Sequence, residues 1–125
     1  MKIACLLITH LAMKSEFSRH PELLNKPVII TQSHGSQQIV LDRSPEVHGI
    51  TEGMSTQAAL SRCRDAILLE ADHSYYEATF NTVIEAIEQR SPTVEKGQLG
   101  CAYIGIDGLE MIRVIGDILI NLLQF

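Results

Sequence analysis

A chain of 125 residues with 46% hydrophobic and 20% charged side chains has room for one packed globular domain. A net charge of −5, with ten basic residues that form no cluster, excludes a nucleic-acid binder that relies on its own basic patch. Three cysteines without a C-x-x-C pair exclude a disulfide framework and a zinc knuckle, and the opening apolar run is too short for a secretory signal, so a cytoplasmic protein with reduced thiols is expected.

In chain order, residues 2–9 form a nearly continuous apolar run that predicts a strand covered on both faces. Residues 12–17 predict one or two helical turns. Pro21 and Pro27 bracket a loop that leads into a strand at 28–31, and Ser33-His34-Gly35-Ser36 predicts a hairpin turn with a returning strand at 37–41. Gly49 and Gly53 flank a tight connection. Ser55 or Thr56 then caps a short helix that carries Ala58, Ala59 and Leu60 inward and ends near Cys63.

Residues 66–69 predict a short strand, and Asp72 or Ser74 caps the clearest helix, which runs to about Gln89. Tyr76, Phe80, Val83, Ile84 and Ile87 share one face of it, and Ser91-Pro92 ends it. The stretch from Val94 to Asp107 predicts one central strand beside the first. Gly108 then turns the chain into a helix that begins at Leu109, with apolar residues on most sides as far as Phe125. Arg113, Asp117 and Asn121 interrupt it, so it makes a poor membrane span; its uncovered apolar surface predicts self-association as a homodimer.

Three runs in this order resemble a known family: Arg19-His20-Pro21-Glu22-Leu23-Leu24-Asn25-Lys26-Pro27-Val28-Ile29-Ile30, His48-Gly49-Ile50-x-x-Gly53-Met54, and Ser91-Pro92-x-Val94-Glu95. The pattern resembles the N-terminal part of Y-family (DinB/ImpB/MucB/SamB-type) translesion DNA polymerases. The resemblance implies an α/β fold with a partial palm-like sheet at 2–9 and 98–106, and 66–69 as a candidate third strand. It implies palm segments at 1–27 and 66–125, a small fingers-like lobe at 28–65, and a chain that is a fragment of a longer bacterial protein.

The same resemblance sets the chemistry to look for. Nucleotidyl transfer on two Mg²⁺ ions needs converging carboxylates. The positions that match the family's acids hold Leu7, Thr9, Gly100 and Cys101, none of which is a hard anionic ligand. The sugar-gating aromatic falls on Ala12. The triphosphate-binding tyrosine and arginine fall on Arg43, which could still touch a phosphate, and on Glu46, which would repel one. Pro21, Pro27, Gly49, Gly53, Tyr103, Gly108 and Glu16 are retained. No metal or other cofactor is expected, and Leu7→Asp alone is expected to restore nothing, because a carboxylate buried in an apolar strand stays neutral.

This combination resembles the catalytically inactive ImuB-type accessory proteins, which implies a scaffold in DNA-damage tolerance. Its implied partners are a replicative-type polymerase, the sliding clamp and, through regions beyond this chain, DNA. Two other classes compete. One is a divergent active polymerase that recruits Asp107 or Glu16; the other is a small α/β interaction domain unrelated to replication. A replacement metal site from Cys5, His10, Cys101 and Asp107 would mix soft and hard ligands without motif spacing, so buried structural thiols are the better account.

Overall fold

Two three-stranded sheets organise the computed structural model of the chain, which describes residues 2–91, 93–106 and 108–123. The elements run β1 (Lys2–Leu7), α1 (Leu11–Arg19), a 3₁₀ turn (Pro21–Leu23), β2 (Val28–His34), β3 (Gln37–Arg43), α2 (Thr56–Arg62), β4 (Ile67–Glu70), α3 (His73–Glu88), β5 (Val94–Lys96), β6 (Cys101–Ile106) and α4 (Leu109–Leu123). They form two compact units, one of residues 1–11 with 74–125 and the other of residues 12–73.

The first unit carries the sheet β1-β6-β5, antiparallel throughout. Alternation along β1 sends Ala4 and Leu6 toward the helices and leaves Ile3, Cys5 and Leu7 on the other face. The core below the sheet joins Ile8, Leu11, Ala102, Ile104 and Ile106 to α3 and to Ile115 of α4. The five α3 positions expected to share a face are the helix's buried residues, as a 3.6-residue repeat requires. The terminator Pro92 lies outside the described residues, but Ser91 is buried and its hydroxyl donates to the Gly105 carbonyl at 2.8 Å.

Two expectations for this sheet are corrected. The stretch from Val94 is not one strand but a hairpin, with Glu95 opposite Tyr103 and Lys96 opposite Ala102. The reversal is local: Cys101 N–H donates to Gln98 O at 2.8 Å, Gly97 N–H donates to Cys101 O at 2.9 Å, and Gly100 adopts φ +86°, a region that glycine enters without strain. Nor is β1 covered on both faces, because Ile3 is 69% and Leu7 66% exposed. An apolar run therefore misled: side-chain alternation decides which face is covered, and the sequence conceals it when both faces are apolar.

The second unit carries the sheet β3-β2-β4. The β2–β3 hairpin turns at Gly35, where φ is +64°, and the strands extend further than expected on both sides. β4 pairs in parallel with β2, Ile67 opposite Val28 through Glu70 opposite Thr31. Residues 66–69 therefore do not join the β1–β6 sheet, contrary to expectation. Strand partnership is non-local, and a four-residue apolar run fits either sheet.

Capping of α2 follows the sequence. Ser55 Oγ accepts from Ala58 N–H at 3.1 Å, Ala59 is buried, and Ala58, expected inward, is exposed. Ser55→Ala is expected to lower unfolding stability by about 1 kcal/mol in urea titration, with unchanged fold by circular dichroism.

Candidate functional site

Three of the positions that the family resemblance singles out, Leu7, Gly100 and Cys101, meet at the end of the β1–β6 pair. Leu7 stands opposite Cys101, and one residue on, Ile8 N–H donates to Gly100 O at 2.7 Å. Gly100 is packed here without spare room: a Cβ on it would lie 2.9 Å from the Ile8 carbonyl oxygen. Cys101 begins β6, so it borders the turn and does not sit mid-strand as expected. Thr9 follows in an exposed turn, beside His10 at φ +54°. The structure thus brings Leu7, Gly100 and Cys101 together on a sheet end where neither strand contributes a carboxylate.

The open face of this sheet is apolar and thiol-bearing. Cys5 stands opposite Tyr103 and is exposed; partial desolvation against the sheet face and then the neighbouring Cys101 push its pKa up. Cys101 in turn raises the Tyr103 phenol by hydrogen bonding. Neither thiol is buried, as was expected for structural cysteines, and the raised Cys5 thiol is not activated toward nucleophilic attack. An acid that the sequence reading did not weigh shares the face: Glu95 on β5 is exposed and opposite Tyr103. Strand parity after the hairpin would have revealed it. One carboxylate two strands from Leu7 is short of the converging set that a pair of magnesium ions needs. Asp107 lies outside the described residues.

In the second unit, Ala12 is half-buried against the cluster of Met13, Leu23, Val28 and Ile30. Arg43 turns inward to its own loop. Its Nε donates to Ile50 O at 2.7 Å and its Nη1 to Val47 O at 2.9 Å, so the guanidinium pins residues 44–50. Glu46 on that loop is exposed. Arg62 Nη1 donates to Gly49 O at 2.7 Å and holds the loop's far side. The basic residues near the triphosphate positions are thus engaged with carbonyl oxygens.

Buried charge in this unit has structural partners. The Glu16 carboxylate, 2% exposed, receives Arg19 Nε at 2.8 Å and Nη2 at 3.0 Å, a bidentate pair, and Arg19 Nη1 also donates to Asp72 at 2.9 Å. The Glu16 hydrogen bonds raise the Arg19 pKa. Glu16, named above as an acid a divergent polymerase could recruit, is committed to this pair. Asp42 was missed by sequence reading: it is buried, and its Oδ2 accepts from Met13 N–H at 3.1 Å in the first turn of α1, where a carboxylate is stabilised by the helix dipole. Only the fold, 29 residues apart in sequence, brings the two together.

Cys63 caps α2 at its C-terminal end, and its thiol donates to Asp65 at 3.5 Å. Burial and then that carboxylate raise its pKa. Among the described residues, no helix is long and apolar enough to cross a membrane.

With this geometry in hand, comparison with known proteins is specific. The impB/mucB/samB family matches over residues 8–118. A DNA polymerase IV of Clostridium kluyveri is 26% identical over 100 residues, covering 78% of this chain and 25% of that protein. A DNA polymerase IV of Dehalococcoides mccartyi is 30% identical over 100 residues, covering 78% and 26%. Among solved structures, the post-insertion binary complex of Dbh DNA polymerase superposes with a TM-score of 0.91 at 19% identity, covering 97% of this chain and 39% of that one. DinB from Sulfolobus solfataricus superposes with a TM-score of 0.82 at 19% identity, covering 98% and 38%. The chain therefore spans about a quarter of these curated relatives' length, its fold is that of the Y-family polymerases, and it belongs to the impB/mucB/samB family.

Proposed function

We propose that this chain is part of an accessory protein of translesion synthesis that does not itself transfer nucleotides. The observation that carries the reading is the end of the β1–β6 pair, where Leu7 stands opposite Cys101, Ile8 N–H donates to Gly100 O and neither strand carries a carboxylate; the resemblance assigns the family's metal-binding acids to these positions. Family membership supports a role in DNA repair, and the loss of hard ligands supports a pseudoenzyme within it. In this reading residues 1–27 and 66–125 correspond to part of a palm and 28–65 to a fingers-like lobe, the chain acts in the bacterial cytoplasm during SOS mutagenesis, and the partners are a replicative-type polymerase and the sliding clamp.

The test is binding of labelled primer–template DNA and of the sliding clamp by the full-length product of the same locus, alongside primer extension. Binding without extension supports the scaffold. Extension supports a divergent polymerase, and the absence of both binding and extension overturns the scaffold reading.

Leu7→Asp is expected to give no Mg²⁺-dependent nucleotide addition. The reason differs from the one the sequence suggested. Leu7 is largely exposed, so the new carboxylate ionises in water, but it finds no second acid on the adjacent strand to share a metal. Incorporation by that single variant above a contaminant control would contradict the reading.

A further inference from the structure

The open face of the first sheet carries two thiols that the strand register places together. Cys5 stands opposite Tyr103 and Leu7 opposite Cys101, so Cys101 lies on the diagonal from Cys5. Opposite residues of an antiparallel pair share a face, and every second residue returns to it. Both sulfurs therefore lie on the side where Ile3 and Leu7 are exposed. Gly97 fixes the direction of Cys101. A Cβ there would lie 3.5 Å from Cys101 Sγ and 3.5 Å from the Tyr103 ring, so glycine keeps the space beside the sulfur open. The two thiols are near enough to hydrogen-bond to each other, and neither is buried.

Distance decides what such a pair can do. Diagonal neighbours on a sheet have Cα atoms about 7–8 Å apart, with the Cβ atoms somewhat closer. A disulfide needs Cα atoms about 4.4–6.8 Å apart, so this pair does not close one without moving the backbone. One metal ion between two thiolates, at about 2.3 Å from each, spans up to about 4.6 Å from sulfur to sulfur. Two hydrogen-bonded thiols reach that separation by a small side-chain rotation. Ligand number then narrows the ion. Among the described residues no third His, Cys, Asp or Glu ligand atom closes on the pair. A closed Zn²⁺ site takes four ligands and Mg²⁺ takes oxygen, whereas thiolates alone suit a soft ion.

We propose that Cys5 and Cys101 form a two-sulfur binding site for a soft monovalent cation of the copper(I) class. Each thiol releases its proton to solvent as the ion binds, so the complex carries one negative charge and no oxidation state changes. The raised pKa of Cys5 suits this role: the thiol stays protonated and unreactive until an ion that binds both sulfurs displaces the protons. The site needs neither His10 nor Asp107, so the mixture of soft and hard ligands does not arise. It lies within one unit, is set by one strand register, and does not depend on the accessory function.

Copper(I) titration of the full-length product of the same locus tests the proposal, under anaerobic reducing conditions and in competition with a chromogenic copper(I) chelator. The parent is expected to retain one more copper(I) per chain than C5S/C101S. Either single serine variant is expected to weaken that retention at least about tenfold, since even a group that only supports a metal ligand is worth about 10–100-fold. Two controls separate loss of a ligand from loss of the strand. Ile3→Ser, on the same face of β1, is expected to leave retention unchanged, and Cys5→Met, which keeps a soft sulfur donor, is expected to retain more copper than Cys5→Ser. C63S, in the other unit, is expected to change nothing. Equal retention by the parent and C5S/C101S, loss of retention in I3S or C63S, or zinc held more tightly by the parent than by C5S/C101S would each overturn the proposal.

Discussion

Placing an aspartate at Gly100, where the family resemblance implies an acid, is expected to lower the unfolding free energy by about 3 kcal/mol. Two terms add. At φ +86° any residue with a Cβ loses about 1–2 kcal/mol relative to glycine. The Cβ itself would stand 2.9 Å from the Ile8 carbonyl oxygen, a backbone atom of the residue whose N–H donates to Gly100 O. Urea titration reads this as a midpoint lower by more than about 1 M, given slopes of about 1–3 kcal/mol per M. Leu7→Asp, on an exposed face, is expected to move the midpoint far less. Equal losses for the two variants would show that the Gly100 backbone is not the constraint. Under the proposed function the consequence is direct: introducing an acid at this position meets a turn built around glycine.

Removing the guanidinium in the last turn of α1 is expected to be as damaging. Arg19→Met leaves the Glu16 carboxylate, 2% exposed, without the bidentate partner that offsets its loss of water, and breaking one side of a buried pair costs about 3–5 kcal/mol. Arg19 is one-third exposed, which puts the expected loss at the lower end, about 3 kcal/mol. The double variant Glu16→Leu/Arg19→Met is expected to recover most of that loss, because it removes the buried charge along with its partner. Thermal unfolding of the two variants checks this. A single variant as stable as the parent would mean that water or another group satisfies Glu16.

The sequence was most informative where structure is local and periodic. The buried face of α3 follows from apolar residues three and four apart, the Ser55 cap from a hydroxyl before a helical run, and the β2–β3 turn from glycine among short polar residues. It was least informative where two distant segments meet. The pairing of β4 with β2, the carboxylate of Asp42 on the Met13 amide and the engagement of Arg43 by carbonyls of its own loop depend on packing that no window of residues displays. At the site itself, the missing acids were readable as residue types. The reason they cannot simply be put back was not, because the strain at Gly100 exists only once residues 97–100 turn β5 into β6 against Ile8.

Primer extension tests the central claim most directly: a family fold retained while its metal-binding chemistry is gone. The measurement uses the full-length product of the same locus on undamaged and abasic templates, with Mg²⁺ and with Mn²⁺, against a preparation from cells lacking the gene. The account predicts no incorporation above that control with either metal. Template-dependent incorporation that follows protein concentration would contradict it, and would mean that acids outside the β1–β6 positions have rebuilt the metal site.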